Sequence, residues 1–367
     1  MNYHIVLHRE MDLEAQAKQA RLGQSPRHAM GQLAQRLGAT VHVPHSQLHI
    51  QRQDYFLSKL IGSPENWALA RELVCQVGPE DTIFCNSAAA GLPLAGLLKD
   101  HPNRPKLAIF AHNLDRPRSR VALRVLRAAS RVDWFIACSK YQANFLKQYL
   151  KVPDERVTFI WDQTDLTFFS PGPPSPQKQR PIVMSVGLEK RDYRTLAAAT
   201  ADLPIDVKIS GFSQDAAKRK KAFPEVLPPN MSHQFYEWPD LLQLYRDADV
   251  VVVSTFPNRY AAGVQGMMEA MACGRPTVVT QTEGLGAYLA DNEGVVQIRP
   301  GDAVAMRQAI VQLLNHPEQA NHVGKRAAAI ALERHNSDCH VETLAQGLKK
   351  LWGALEHQSL SPCTPLS

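Results

Sequence analysis

The stretch from Asp249 to Gly286 most narrows what this chain can fold into. It opens on an unbroken apolar run, Val250 to Val253, with no polar residue to face solvent. Such a run suits a strand covered on both faces, as in a parallel sheet. Small residues follow (Ala261, Ala262, Gly263), then a helix-like segment, Val264–Cys273. Gly274 is a C-terminal stop, and Arg275-Pro276 leads into a second buried strand, Thr277–Thr280. A strand, a small-residue turn and a helix start together form an anion site, because unpaired amides and the helix dipole point into the turn. Glu269 sits alone in the middle of this apolar helix. A buried carboxylate is costly without hydrogen-bond donors, which predicts a bound partner for it.

The same grammar runs along the rest of the chain. Candidate strands in the first half are His4–Leu7, Thr40–Val43, Thr82–Cys85, Leu107–Ala111, Trp134–Ala137 and Val157–Trp161. Helical patterns such as Arg27–Leu37 and Tyr141–Leu150 lie between them. The run Pro171-Gly172-Pro173-Pro174-Ser175-Pro176 breaks the pattern. Strands resume near Val183, Val207, His233–Phe235, Val250–Val253, Thr277–Val279 and Val295–Ile298. The fold class is therefore α/β, with two Rossmann-like doubly wound domains and ligands expected at the carboxyl ends of their strands. The domains read as 1–170, a Pro-rich linker 171–180, and 181–340. A helix at 341–357 can return to the first domain, and the Ser/Pro-rich tail 358–367 reads as disordered.

At 367 residues the chain is too long for one ordinary core. It has 44% hydrophobic and 21% charged residues, as a soluble globular protein does. No stretch approaches the roughly 20 apolar residues that span a bilayer, and the start lacks a signal-peptide pattern. The six cysteines, Cys75, Cys85, Cys138, Cys273, Cys339 and Cys363, are scattered without metal or redox spacing. They read as thiols in a reducing cytoplasm. The net charge of +6 permits attraction to anionic surfaces without demanding it.

The segment Met268-Glu269-Ala270-Met271-Ala272-Cys273-Gly274-Arg275-Pro276, closed by Glu283-Gly284-Leu285-Gly286, resembles GT-B-fold glycosyltransferases of family 4. The likeness is strongest over 133–343. It implies a metal-independent hexosyltransferase using a UDP-, GDP- or ADP-sugar donor, with no cofactor and no metal. In that family the glutamate matching Glu269 accepts bonds from the two ribose hydroxyls, and one carboxylate suits a vicinal diol. The family's second glutamate, eight positions earlier on the donor sugar, is Ala261 here, and the glycine at Gly263 sits one step early. Retaining stereochemistry is what the resemblance implies.

Further candidates follow from that likeness. Gly187 ends the first strand of the second domain, where the family places an Arg directly after the glycine; Leu188 stands there instead. Arg191 falls near the family's diphosphate lysine, and a guanidinium fork suits diphosphate oxygens. Lys190 is its neighbour, and both can equally be a surface charge cluster. Ser210-Gly211-Phe212 closes the next strand, where Gly211 lets a nucleotide approach the backbone. Tyr236 or Trp238 can cover the base or merely pack. Amides near Ala262, Gly263, Val264 and Gln265 are expected on leaving-group or sugar oxygens. His112 follows a strand of the first domain and is the catalytic candidate, against a plain strand-end role; Asp115, three residues on, is a weaker candidate for acceptor recognition. Asp165 reads as a turn cap.

Arg120, Arg124, Arg127 and Arg131 are spaced i, i+4, i+7, i+11 and predict one face of a single helix. That face can be solvated, or can meet an anionic membrane or a phosphate-bearing acceptor. The family's Gly-rich first loop is replaced by His8–Pro26, with only Gly23 inside, so the acceptor stays open: polysaccharide, lipid or small molecule. The nucleotide-sugar donor is the expected partner, and nucleic acid is not expected. A non-catalytic nucleotide-sugar binder or scaffold on the same fold is the alternative.

Overall fold

The apolar runs become two six-stranded parallel sheets. The structure is a computed structural model and describes residues 2–98, 103–211, 221–290 and 293–353. The chain divides into two units. The first gathers, of the described residues, 2–17, 28–161 and 340–353; the second gathers 18–27 and 162–339.

In the first unit the strands are β1 (Tyr3–Val6), β2 (Thr40–His42), β3 (Thr82–Cys85), β4 (Lys106–Phe110), β5 (Trp134–Ala137) and β6 (Val157–Phe159). They lie in the order β2-β1-β3-β4-β5-β6, a doubly wound order with its switch between β1 and β3. Every residue of β3 and β5 is buried, because helices cover both faces. Trp67, Leu73, Ile83, Leu107, Ile109 and Phe135 centre that core.

The second unit holds β7 (Ile182–Val186), β8 (Asp206–Ser210), β9 (Met231–Gln234), β10 (Val250–Val253), β11 (Thr277–Thr280) and β12 (Val295–Ile298). Their order is β12-β11-β10-β7-β8-β9, so the winding reverses between β7 and β10. All four valines of β10 are buried, between β7 and β11. At roughly 1.5–3 kcal/mol per buried side chain they anchor the sheet centre. The strand expected at His233–Phe235 runs instead over Met231–Gln234. It is an edge strand, where only Met231 is buried, and Phe235 is 61% exposed beyond its end.

The proline-rich segment is tied to the second unit. Ser175 donates to the Asp247 carboxylate through N and Oγ (2.6 and 2.9 Å), and Lys178 pairs with Asp249 at 2.7 Å. Residues 162–170 also group with the second unit. Asp165 explains part of this. It caps Thr167 (3.1 Å) as a turn residue, and it also accepts three bonds from Arg27, at 2.7, 3.0 and 2.7 Å. The segment His8–Pro26, which stands in place of the family's Gly-rich loop, carries the helix Leu13–Arg21.

The arginine face is corrected. The helix Pro117–Val125 ends before Arg127, which adopts a left-handed backbone (φ 53°), and a short helix Ala128–Arg131 follows. Arg120 and Arg124 lie over the Tyr149 ring at 5.7 and 4.7 Å, and Arg131 donates to the Ala95 and Gly96 carbonyls. The break at Arg127 means that the four do not lie on one continuous helix. Phe212 and the tail 358–367 lie outside the described residues. Among the described residues no helix is long and apolar enough to cross a membrane.

Candidate functional site

The carboxyl ends of β7, β8, β9 and β10 carry most of the candidates named from sequence. Gly187 follows β7 in a left-handed conformation (φ 87°), and its amide donates to the Ser210 carbonyl at 2.9 Å. Gly211 follows β8 and packs against this turn: a Cβ there would sit 3.1 Å from the Gly187 carbonyl oxygen. Gly263 ends the loop after β10, again with positive φ (95°), and serves as N-cap of the helix Val264–Ala272. A side chain there would also meet Val253 Cγ1 at 2.6 Å, so both space and backbone demand glycine.

Arg191 joins the two turns. It is only 6% exposed, which removes the surface-cluster reading for this residue. Its Nε donates to the Val186 carbonyl (2.6 Å) and Nη1 to the Glu189 carbonyl (3.0 Å). The same fork lies 2.6 Å from where a Gly187 Cβ would be and 3.6 Å from where a Gly263 Cβ would be. One cation is thereby fixed between two glycine turns at the sheet's switch point. Lys190 differs: it is exposed, with a strained φ of 58°. Tyr193 at the next helix start is fully buried and donates to the Gly187 carbonyl, bracing the turn from behind.

Glu269 is buried, at 5% exposure, and the protein itself supplies partners. Tyr245 donates to Oε2 at 2.6 Å and Gln265 to Oε1 at 3.1 Å. Each oxygen keeps further acceptor capacity. Burial pushes the Glu269 carboxyl up to about 7, while the Tyr245 and Gln265 bonds and the Arg191 charge pull the other way. Tyr245 was not singled out from sequence. It lies on the apolar face of the helix Trp238–Asp247, beside Leu244, and a buried phenol needs a hydrogen-bond partner. That need was the available signal.

The amides sort themselves. Ala262 donates to the Tyr260 carbonyl (2.6 Å) and Val264 to the Ala261 carbonyl (3.2 Å), so both close the turn. Tyr236 is half-buried after β9, and burial, followed by the Asp240 charge, raises its phenol. Trp238 packs edge-on to Phe168 and Phe169, at 6.4 and 6.3 Å. In the first unit, His112 is exposed after β4. It stacks on Phe110 at 4.7 Å, with Nδ1 3.6 Å from Cys138 Sγ. Asp115 accepts from Gln142 at 3.0 Å, whose own oxygen takes the Leu114 amide.

The raised carboxyl makes stability depend on pH. Below about 4.5 Glu269 is protonated in both folded and unfolded chains; between about 4.5 and 7 the folded chain binds more protons. Stability contributed by this group is therefore full at low pH and falls as pH rises to about 7, by on the order of 3 kcal/mol in total. Glu269→Gln is expected to remove that slope. Urea unfolding at pH 5 and pH 7.5 measures it, with the variant gaining on the wild type at the higher pH. The same pH dependence in both proteins contradicts the assignment.

Residues 194–316 match the family model for glycosyl transferases group 1. No curated protein sequence matches the chain. Among solved structures it is similar to Anabaena Alr3699/HepE in complex with UDP, at 17% identity and a TM-score of 0.70, covering 95% of this chain and 100% of that one. It is similar to the sucrose-phosphate synthase of Thermosynechococcus elongatus (18%, TM-score 0.69, 97% and 100%). It is also similar to the α,α-trehalose 6-phosphate synthase of Burkholderia multivorans (13%, TM-score 0.72, 96% and 99%). At these identities the likeness fixes the fold, GT-B. The chain thus has a GT-B fold, and its second unit carries the match to glycosyl transferases group 1.

Proposed function

We propose that the chain transfers a hexose-type sugar from a nucleoside diphosphate sugar, with UDP-hexose the donor to test first. The observation that carries this reading is the grouping of Arg191, Gly187, Gly263 and Glu269 at the switch point of one sheet. Arg191 would hold diphosphate oxygens, charge to charge, and Lys190 would add a mobile cation. The two glycine turns let those oxygens approach the backbone. The amides of Gly263 and Gln265, at the helix start, would serve leaving-group oxygens, with the helix dipole behind them. Glu269 would accept the ribose hydroxyls. Tyr236 would lie beside the base.

Stabilising the departing diphosphate is an electrostatic task, and preorganised cations and amides perform it without reorganisation. His112 is the candidate for contact with the transferred sugar. Position 261 is alanine, so no carboxylate there can hold that sugar. A retaining outcome is the reading favoured by family likeness. UDP is favoured because Alr3699/HepE was crystallised with UDP and with UDP-glucose.

The test is a melting screen with UDP-, GDP- and ADP-glucose, followed by measurement of sugar release. A ligand at 100 times its dissociation constant stabilises the folded chain by about 2.7 kcal/mol. UDP-glucose is expected to raise Tm and to be slowly hydrolysed. Stabilisation without hydrolysis or transfer to any acceptor would contradict catalysis; no response to any of the three contradicts the donor class.

A further inference from the structure

The other end of the first unit's sheet holds a cavity of about 580 Å³. It lies where β4, β5 and β6 begin, opposite the ends that carry His112. Its size falls in the range of small-molecule sites. Four cations line it, Arg104, Lys106, Arg156 and Lys350, against two carboxylates, Asp133 and Glu155. The imbalance concerns how these charges are placed. Arg104 grips Asp133 with both nitrogens, at 2.6 and 3.2 Å, and Lys106 reaches the same carboxylate at 3.9 Å. Asp133 thus already answers two cations.

Arg156 donates to the Val132 carbonyl, a neutral partner. Burial holds its guanidinium below the ordinary arginine range; Asp133 and Glu155 raise it, and the Arg104 charge lowers it further. Two guanidinium groups repel across one cavity. Lys350 closes the rim from the last turn of the helix Ser337–Lys350. A helix C-terminus disfavours an anion by a fraction of a charge. The four cations outweigh that term, and a concave wall focuses their field. The wall also has an uncharged part at Leu351, while Trp134 is buried, its indole N–H taken by Thr158 at 2.9 Å and its ring packed on Gly347.

We propose that this cavity binds a compact phosphate-bearing small molecule, its phosphate set between Arg156 and Lys350 and its body toward Leu351. The site is built entirely from the first unit, so it does not depend on the donor reading. A macromolecular polyanion fits less well, because the cations line a bounded cavity and not a long surface track.

The experiment uses the full chain carrying Arg191→Ala, which weakens phosphate binding at the other candidate site. Glucose 6-phosphate and inorganic pyrophosphate are the probes, and glucose is the control, followed by phosphorus NMR and calorimetry at low salt. Saturable binding of the phosphates but not of glucose is expected. Lys350→Gln, at the end of a helix, should weaken it about tenfold, and Arg156→Gln at least as much. If Arg156→Gln fails to fold, Lys350→Gln decides alone. Absence of binding at millimolar probe overturns the proposal. So does glucose binding as well as its phosphate, or affinity unchanged by Lys350→Gln.

Discussion

Replacing Arg191 by alanine is expected to weaken UDP binding about 100-fold while leaving uridine affinity within a few-fold of wild type. The guanidinium has five N–H donors. Two serve the Val186 and Glu189 carbonyls, at 2.6 and 3.0 Å, and set the fork's plane. The remaining donors lie on the side of the Gly187 and Gly263 turns. Charge-assisted bonds contribute roughly 1.5–3 kcal/mol each, so losing one strong bond or two weaker ones costs about 100-fold in affinity. The carbonyl bonds add a structural consequence. Alanine also releases the 186–191 turn, which accounts for a small loss of uridine affinity. Arg191→Lys separates the two roles, because a single ammonium keeps the charge but cannot fork between carbonyls and diphosphate. Calorimetry with UDP and with uridine measures both. Equal losses for the two ligands would assign Arg191 to the fold alone.

The strands were legible because apolar runs of four or five residues between helical patterns can do little else. Val250–Val253 and Thr277–Thr280 stand where the sequence places them. The grouping of Gly187, Gly263 and Arg191 was legible only in part. Sequence puts each at a strand end, but the common guanidinium between two positive-φ turns arises from the parallel order of β7 beside β10. Glu269 was legible as a buried acid in an apolar helix, and its need for donors was legible with it. The donors themselves were not. Tyr245 is 24 residues away in sequence and reaches Glu269 only because the helix preceding β10 packs against the helix following it. The arginine face failed for a local reason. Helical spacing assumes one continuous helix, and the left-handed Arg127 turns the chain between Val125 and Ala128. Cation–π stacking on Tyr149 gives two of those exposed arginines a contact that charge spacing cannot reveal.

Glu269→Gln tests the ribose assignment, and the protein's own geometry shapes the expected result. A ribose diol donates to a carboxylate, so it binds the ionised form. In the free protein burial holds this carboxyl near 7, with Tyr245 and Gln265 each giving one bond to the charged form. Binding UDP must therefore pull a proton off Glu269 below that pH. Wild-type affinity for UDP is expected to rise as pH increases from 6 to 8 and to level off above. Glutamine keeps the shape and one acceptor oxygen but loses the charge, which predicts a 10- to 100-fold weaker complex. Its affinity should keep only the pH dependence that the terminal phosphate of UDP itself brings, so the rise over that range should be smaller than in the wild type. A UDP analogue lacking both ribose hydroxyls should bind wild type and variant equally. Tyr245→Phe refines the test: removing one donor to the charged form pushes the carboxyl higher still, so the pH at which UDP affinity levels off should move upward. A folded Gln variant that binds UDP as tightly as wild type would exclude the ribose role. A pH profile unmoved by Tyr245→Phe would mean the phenol only packs.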